Sequence, residues 1–182
     1  MADFARTIEA EQFDAEQWRP FGWVPLPDTD PRDGTATLFF EWGDAHLNLI
    51  GHDGDEVPHT AAGLGCEMLF RHRTHTQALL VLNCPAVVVV AAADATFGSP
   101  DDAGKLRAFR LAPLDALVLH RGTWHWGPYP VGSESVRIFN IQGRGYPNDN
   151  GVVELTRDHG VVYEVPADYP PPAWESSTAA RP

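Results

Sequence analysis

Only two cysteines stand in the sequence, Cys66 and Cys84, and no C-x-x-C pair is present. That excludes the dense disulfide framework of a small secreted domain. Both lie in apolar, strand-like runs, where a free thiol acts as a small hydrophobe. Long hydrophobic runs are missing too. The longest, Pro85 to Ala93, falls far short of the roughly 20 residues a helix needs to span a bilayer. Met1 to Arg6 lacks an apolar stretch, so the expectation is a cytoplasmic protein with no signal peptide. Positive charge is scarce, with 13 Lys and Arg against 25 Asp and Glu and a net charge of −12. Neither nucleic acid nor an anionic membrane surface is a suitable partner for such a chain. A small anionic substrate is still compatible, because a local Arg/His pocket can oppose the global field.

What is present points to one β-rich domain. A chain of 182 residues with 43% apolar content can bury a real core. Gly and Pro, at 16 each, favour short strands joined by turns over a helical bundle. No repeat and no second core is visible. The reading is a single domain over residues 1–165, including an N-terminal elaboration. A tail over 166–182 follows, marked by Pro170-Pro171-Pro172.

In chain order, Asp14-Ala15-Glu16-Gln17 has the form of a capping box, and Pro20 and Gly22 stop the short helix it starts. Phe13, Trp18 and Phe21 are its anchors. Pro25 to Gly34 reads as an exposed loop, and Thr37–Trp42 and His46–Ile50 as two strands. Gly51 to Gly65 reads as a long loop, of the kind that often edges a site. Strands are expected at Glu67–His72, Ala78–Leu82, Val87–Ala92, Leu106–Leu111, Ala116–His120 and Val136–Gln142. Val152–Leu155 and Val161–Val165 read as edge strands. Such spacing describes an all-β sandwich or barrel.

Two clusters carry the chemistry: Phe70-Arg71-His72-Arg73-Thr74-His75-Thr76-Gln77 and His120-Arg121-Gly122-Thr123-Trp124-His125-Trp126. Strand alternation turns Met68, Phe70 and His72 to one face, and Gln77, Leu79 and Val81 to the same face of the next strand. A tight turn at Gly122 then aims His125 at that point. His75, across the turn from His72, is expected to point elsewhere. His46, His52, His59 and His159 read as structural, and Asp53, Asp55 and Glu56 as a solvated loop face.

The spacing of His72 to Gln77, and of His120-x-Gly122-x-x-His125, resembles the two motifs of the cupins, small double-stranded β-helix (jelly-roll) barrels. More of the chain is similar to one cupin family. Phe70-Arg71-His72, Thr76-Gln77-Ala78, Leu106-Arg107-Ala108-Phe109 and His120 to His125 resemble ureidoglycolate lyase, as do Phe13, Phe21-Gly22 and Asn148-Asp149-Asn150. The resemblance covers roughly residues 6 to 155. It implies a homodimeric lyase cleaving ureidoglycolate to glyoxylate and urea in purine (allantoin) breakdown. Phe70 stands where that family usually has Glu, and Trp126-Gly127 where it has His-Pro.

The expected roles follow from the residue types. His72 and His125 are the general acid–base pair, and Gln77 holds an amide or carbonyl of the substrate. Arg121 pairs with the substrate carboxylate, and His120, His75, Trp124, Trp126 and Phe70 complete the substrate-binding set. Either no cofactor is required or a divalent metal is held by His72, Gln77 and His125. That set is lean, because catalytic zinc commonly takes three stronger protein ligands. Two other readings keep the fold: an isomerase, dehydratase or decarboxylase for a bulkier substrate, suggested by Phe70 and Trp126, and a non-catalytic small-molecule binder.

Overall fold

The computed structural model describes residues 4–25, 44–60, 62–97, 100–132 and 134–166. The expected strand Thr37–Trp42, most of the Pro25–Gly34 loop and all of the tail beyond Pro166 lie outside these residues. The chain opens with β1 (Phe4–Thr7), β2 (Ala10–Gln12), α1 (Ala15–Trp18) and β3 (Gly22–Trp23). After β4 (Ala45–His52) come β5 (Gly63–Cys66), β6 (Met68–His72), β7 (Gln77–Val81) and β8 (Ala86–Ala91). The second half holds β9 (Arg107–Leu111), β10 (Ala116–Leu119), β11 (Trp124–Pro130), β12 (Val136–Gly143), β13 (Asn150–Glu154), α2 (Leu155–His159) and β14 (Val161–Pro166).

These strands form a cupin-type double-stranded β-helix. One wall has the order β3-β10-β7-β12-β4 and the other β13-β6-β11-β8-β9-β2; among the described residues a three-stranded sheet, β1-β14-β5, is added to these. The run Ala86–Ala91 shows why three layers are needed. All six of its residues are buried, as expected of a strand covered on both faces. Val88 and Val90 pack between the two walls with Leu79, Val81, Phe109, Leu117 and Ile138. Val87, Val89 and Ala91 pack on the other side with Leu64, Cys66, Val161, Tyr163 and Val165. Val161–Val165 is therefore no edge strand: β14 lies between β1 and β5.

The start of α1 follows the sequence reading. Asp14 caps it by accepting from the Glu16 and Gln17 amides at 2.9 and 3.1 Å. Trp18 is fully buried, donates its indole N–H to the Val118 carbonyl at 3.0 Å, and meets Phe109 edge-on at 5.4 Å. Trp18 thus anchors the helix in the core between the two walls. A Cβ on Gly22 would stand 1.6 Å from the Val118 carbonyl oxygen, so only glycine lets β3 approach β10.

Three expectations change. Gly51–Gly65 is not a plain loop: β4 runs on to His52, a 3-10 turn at Gly54–Glu56 follows, and β5 begins at Gly63. Glu56 ties that turn down by accepting from the Asp53 amide at 2.8 Å and contacting His52 at 2.7 Å. Leu155 ends no strand but starts α2, which Gly160 terminates in the left-handed conformation at φ 66°. Trp124–Pro130 is a full strand, masked in the sequence by Gly127-Pro128. A register shift between Trp126 and Tyr129 absorbs that pair.

Candidate active site

Strand alternation builds the site. On β12, Val136 and Ile138 face the barrel core, and the same face continues into two buried amides, Asn140 and Gln142. On β6 and β7 the corresponding positions are His72 and Gln77, both buried. The link between β10 and β11 supplies the last imidazole. Gly122 turns at φ 78°, a conformation favourable to glycine. Its N–H donates to the His72 carbonyl at 2.6 Å. Thr123 donates its hydroxyl to the Phe21 carbonyl at 2.9 Å. His125 then enters the barrel beside Phe70, its register partner on β6.

The result is a cavity of about 220 Å³ lined by Ile50, His52, Phe70, His72, Gln77, His125, Gly127, Tyr129, Gln142, Tyr146 and Asn150. Drug-sized ligands usually occupy about 300–1,000 Å³, so this space suits a small molecule. A neighbouring cleft of about 450 Å³ shares Phe70 and Tyr129 but is lined by Asp55, Glu56 and Glu67. Its size is greater, but three carboxylates make it the wrong place for an anionic substrate.

The ring of His72 lies 5.5 Å from that of His125. Burial, and then the neighbouring His125 and His75 rings, push the His72 pKa down to about 3. Burial also lowers His125 to about 4, against the opposing pull of the Thr123 carbonyl. Both rings are accordingly neutral near pH 7. The His125 Nδ1 lies 3.1 Å from the Thr123 carbonyl. A carbonyl can only accept, so Nδ1 carries the proton and Nε2 a lone pair. Gln77 donates its amide N–H to Asn140 Oδ1 at 2.9 Å, and Asn140 donates to Asn48 at 2.8 Å. This chain leaves the buried Gln77 Oε1 without a hydrogen-bond partner among the described residues.

His75 departs from expectation. It does not point away but stacks on His72 with ring centroids 4.6 Å apart, and its Nδ1 lies 3.2 Å from Asp149 Oδ2. Gly143 makes room for it, since a Cβ there would come within 2.8 Å of the His75 ring. Asp149 also accepts from the Thr74 amide and hydroxyl at 2.9 and 2.8 Å. Burial raises its carboxyl, but those bonds and the nearby imidazoles outweigh it and hold the group below the ordinary range. His72 Nδ1 and His75 Nε2 are buried without a partner among the described residues.

Other sequence candidates are not brought to the cavity. Trp124 and Trp126 flank His125 on β11 and so face the opposite side of the sheet, buried in the outer core. Trp124 there carries the Arg71 guanidinium over its ring at 4.1 Å. Arg121 and His120 are exposed in the turn before β11, with His120 beside Trp23 at 5.2 Å. His52, read from the sequence as structural, and Asn150, quoted there only for the family resemblance, both line the cavity, as do Tyr129, Gln142 and Tyr146, which sequence reasoning passed over. Gln142 had a signal, the polar continuation of an apolar inward register. Tyr146 and Asn150 follow β12 across an irregular turn, where no periodicity points.

Two donor sets could serve a divalent cation. His72, Gln77 and His125 share the cavity, but Phe70 adds no ligand beside them. His72, His75 and Asp149 each offer a donor atom, all within 4.8 Å of one another.

No curated protein matches the chain. Among solved structures, a dTDP sugar isomerase from Desulfovibrio desulfuricans G20 is similar at 17% identity and a TM-score of 0.39, over 87% of this chain and 82% of that one. So distant a likeness carries no argument about activity. The family model for ureidoglycolate lyase, in contrast, matches residues 35–162. This span takes in every strand from β4 to β13 and both halves of the imidazole site, and the chain belongs to the ureidoglycolate lyase family.

Proposed function

We propose that this protein cleaves ureidoglycolate to glyoxylate and urea, with His125 and His72 as its acid–base pair. One observation carries the proposal: two neutral imidazoles converge on a small cavity otherwise lined largely by amides, hydroxyls and Phe70. In the reaction the substrate hydroxyl loses its proton and its oxygen forms a carbonyl. The carbon–nitrogen bond breaks, its electron pair leaves on the urea nitrogen, and that nitrogen takes up a proton. Nothing else is consumed.

His125 Nε2 accepts the hydroxyl proton, since its Nδ1 is committed to the Thr123 carbonyl. An imidazolium formed in so buried a place is a strong acid, and it returns the proton to the departing nitrogen. His72 completes the pair from the neighbouring strand β6 by donating a hydrogen bond as charge develops. Gln77 Oε1 accepts from a urea N–H, because the other end of its amide is held by Asn140. The bulkier-substrate reading loses support here, since Trp126 lies behind the sheet and the cavity is small.

The same reading extends to a cytoplasmic homodimer working in purine (allantoin) breakdown. Leu47 and Leu49, 58% and 68% exposed on β4, support self-association, which sedimentation would test. The activity itself is tested by mixing purified protein with ureidoglycolate and following glyoxylate.

A further inference from the structure

We infer that the chain binds one divalent transition-metal ion through His72, His75 and Asp149, a set distinct from His72, Gln77 and His125. The inference stands on the geometry of these three residues and not on the lyase reading. Their donor atoms lie within 4.8 Å of one another. Two imidazoles and one carboxylate form a donor combination that suits zinc, nickel or non-haem iron and is too nitrogen-rich for magnesium or calcium.

Independent observations point to a ligand at these atoms. His72 Nδ1 and His75 Nε2 are buried and without a partner among the described residues, although their side chains are more than nine-tenths buried. Leaving a buried polar atom unpaired is costly, and here two such atoms belong to stacked rings. The cluster is also built. Gly143 leaves the space that His75 fills. The Thr74 amide and hydroxyl fix the Asp149 carboxylate through Oδ2, and a carboxylate has acceptor sites to spare. Ligand atoms sit about 2.0–2.2 Å from zinc, so the three groups must close by about 1 Å on binding.

Such an ion also answers a shortage in the cavity. Among the described residues its lining contains neither Lys nor Arg, while the proposed substrate carries a carboxylate. His72 belongs to both the cavity and the cluster, so a cation held there sets positive charge at the cavity wall.

The test is calorimetric titration of Zn²⁺ into untagged, chelator-treated full-length protein. One site per chain is expected, with affinity falling about tenfold or more in His75→Ala and in Asp149→Asn and changing less than about threefold in Gln77→Ala. Absence of binding at submillimolar Zn²⁺ would overturn the inference. So would affinity that survives the first two substitutions and falls in Gln77→Ala or His125→Gln. Anomalous diffraction at the zinc edge from the loaded wild-type chain needs no substitution. A peak bonded to His72, His75 and Asp149 supports the site; a peak between His72, Gln77 and His125, or none, refutes it.

Discussion

The imidazole of His72, at the end of β6, stands 5.5 Å from that of His125, near the start of β11. The Gly122 amide bonded to the His72 carbonyl fixes that relationship through the backbone. Replacing either ring by an amide should therefore leave the barrel standing and impair the chemistry. His125→Gln is expected to lower turnover of ureidoglycolate about 10²–10⁴-fold, and His72→Gln, whose amide still donates a hydrogen bond, by less. Melting temperature reports whether the fold has survived. Retention of wild-type turnover in both variants would remove these residues from the mechanism.

Acid should destabilise the metal-free protein from an unusually high pH. Both folded-state values lie below the ordinary histidine value of 6.5, at about 3 for His72 and about 4 for His125. Above pH 6.5 the two states bind protons alike at these rings. Below it the unfolded chain takes protons that the folded chain refuses, so stability falls until pH reaches the folded values. Each ring contributes a slope of about 1 kcal/mol per pH unit. Urea unfolding between pH 7 and 5 should show this slope, reduced in His125→Gln. An unchanged slope in that variant would contradict the burial argument.

Gly143 and His75 should be energetically coupled. An added methyl at Gly143 presses on the His75 ring at 2.8 Å, and overpacking of this kind costs about 1–3 kcal/mol. Gly143→Ala should lose that much stability in the wild-type background and little in the His75→Ala background. A double-mutant cycle measures the difference; additive effects would mean the ring moves aside freely.

Trp18 should behave as a core residue despite its position in an N-terminal elaboration. It is fully buried, bonds to Val118 at 3.0 Å and packs against Phe13, Phe21 and Phe109. Trp18→Ala is expected to cost about 3–5 kcal/mol in chemical denaturation. A loss below about 1 kcal/mol would show that the helix merely rests on the barrel.

Much of the barrel and half of the site were legible in the chain because both rest on period-two alternation. His72, Gln77 and Phe70 are read correctly onto one inner face by that rule, and Gly122 marks the turn that delivers His125. The same rule, applied to β11, would have sent Trp124 and Trp126 outward; Gly127-Pro128 hid that strand. Val161–Val165 looked like an edge because a second core on the far side of β8 is a tertiary fact. Val87, Val89 and Ala91 could have announced it, since an unbroken apolar strand needs cover on both faces. His75 and Asp149 come together across two turns, through Thr74 and the space left by Gly143. No local pattern encodes such a meeting.

The most direct measurement is release of glyoxylate and urea from ureidoglycolate by the purified full-length protein. Equimolar release by the wild-type chain, abolished in His125→Gln at unchanged melting temperature, is the predicted result. No release, with ureidoglycolate still raising the melting temperature, would mean that the imidazoles bind without catalysing and would contradict the account.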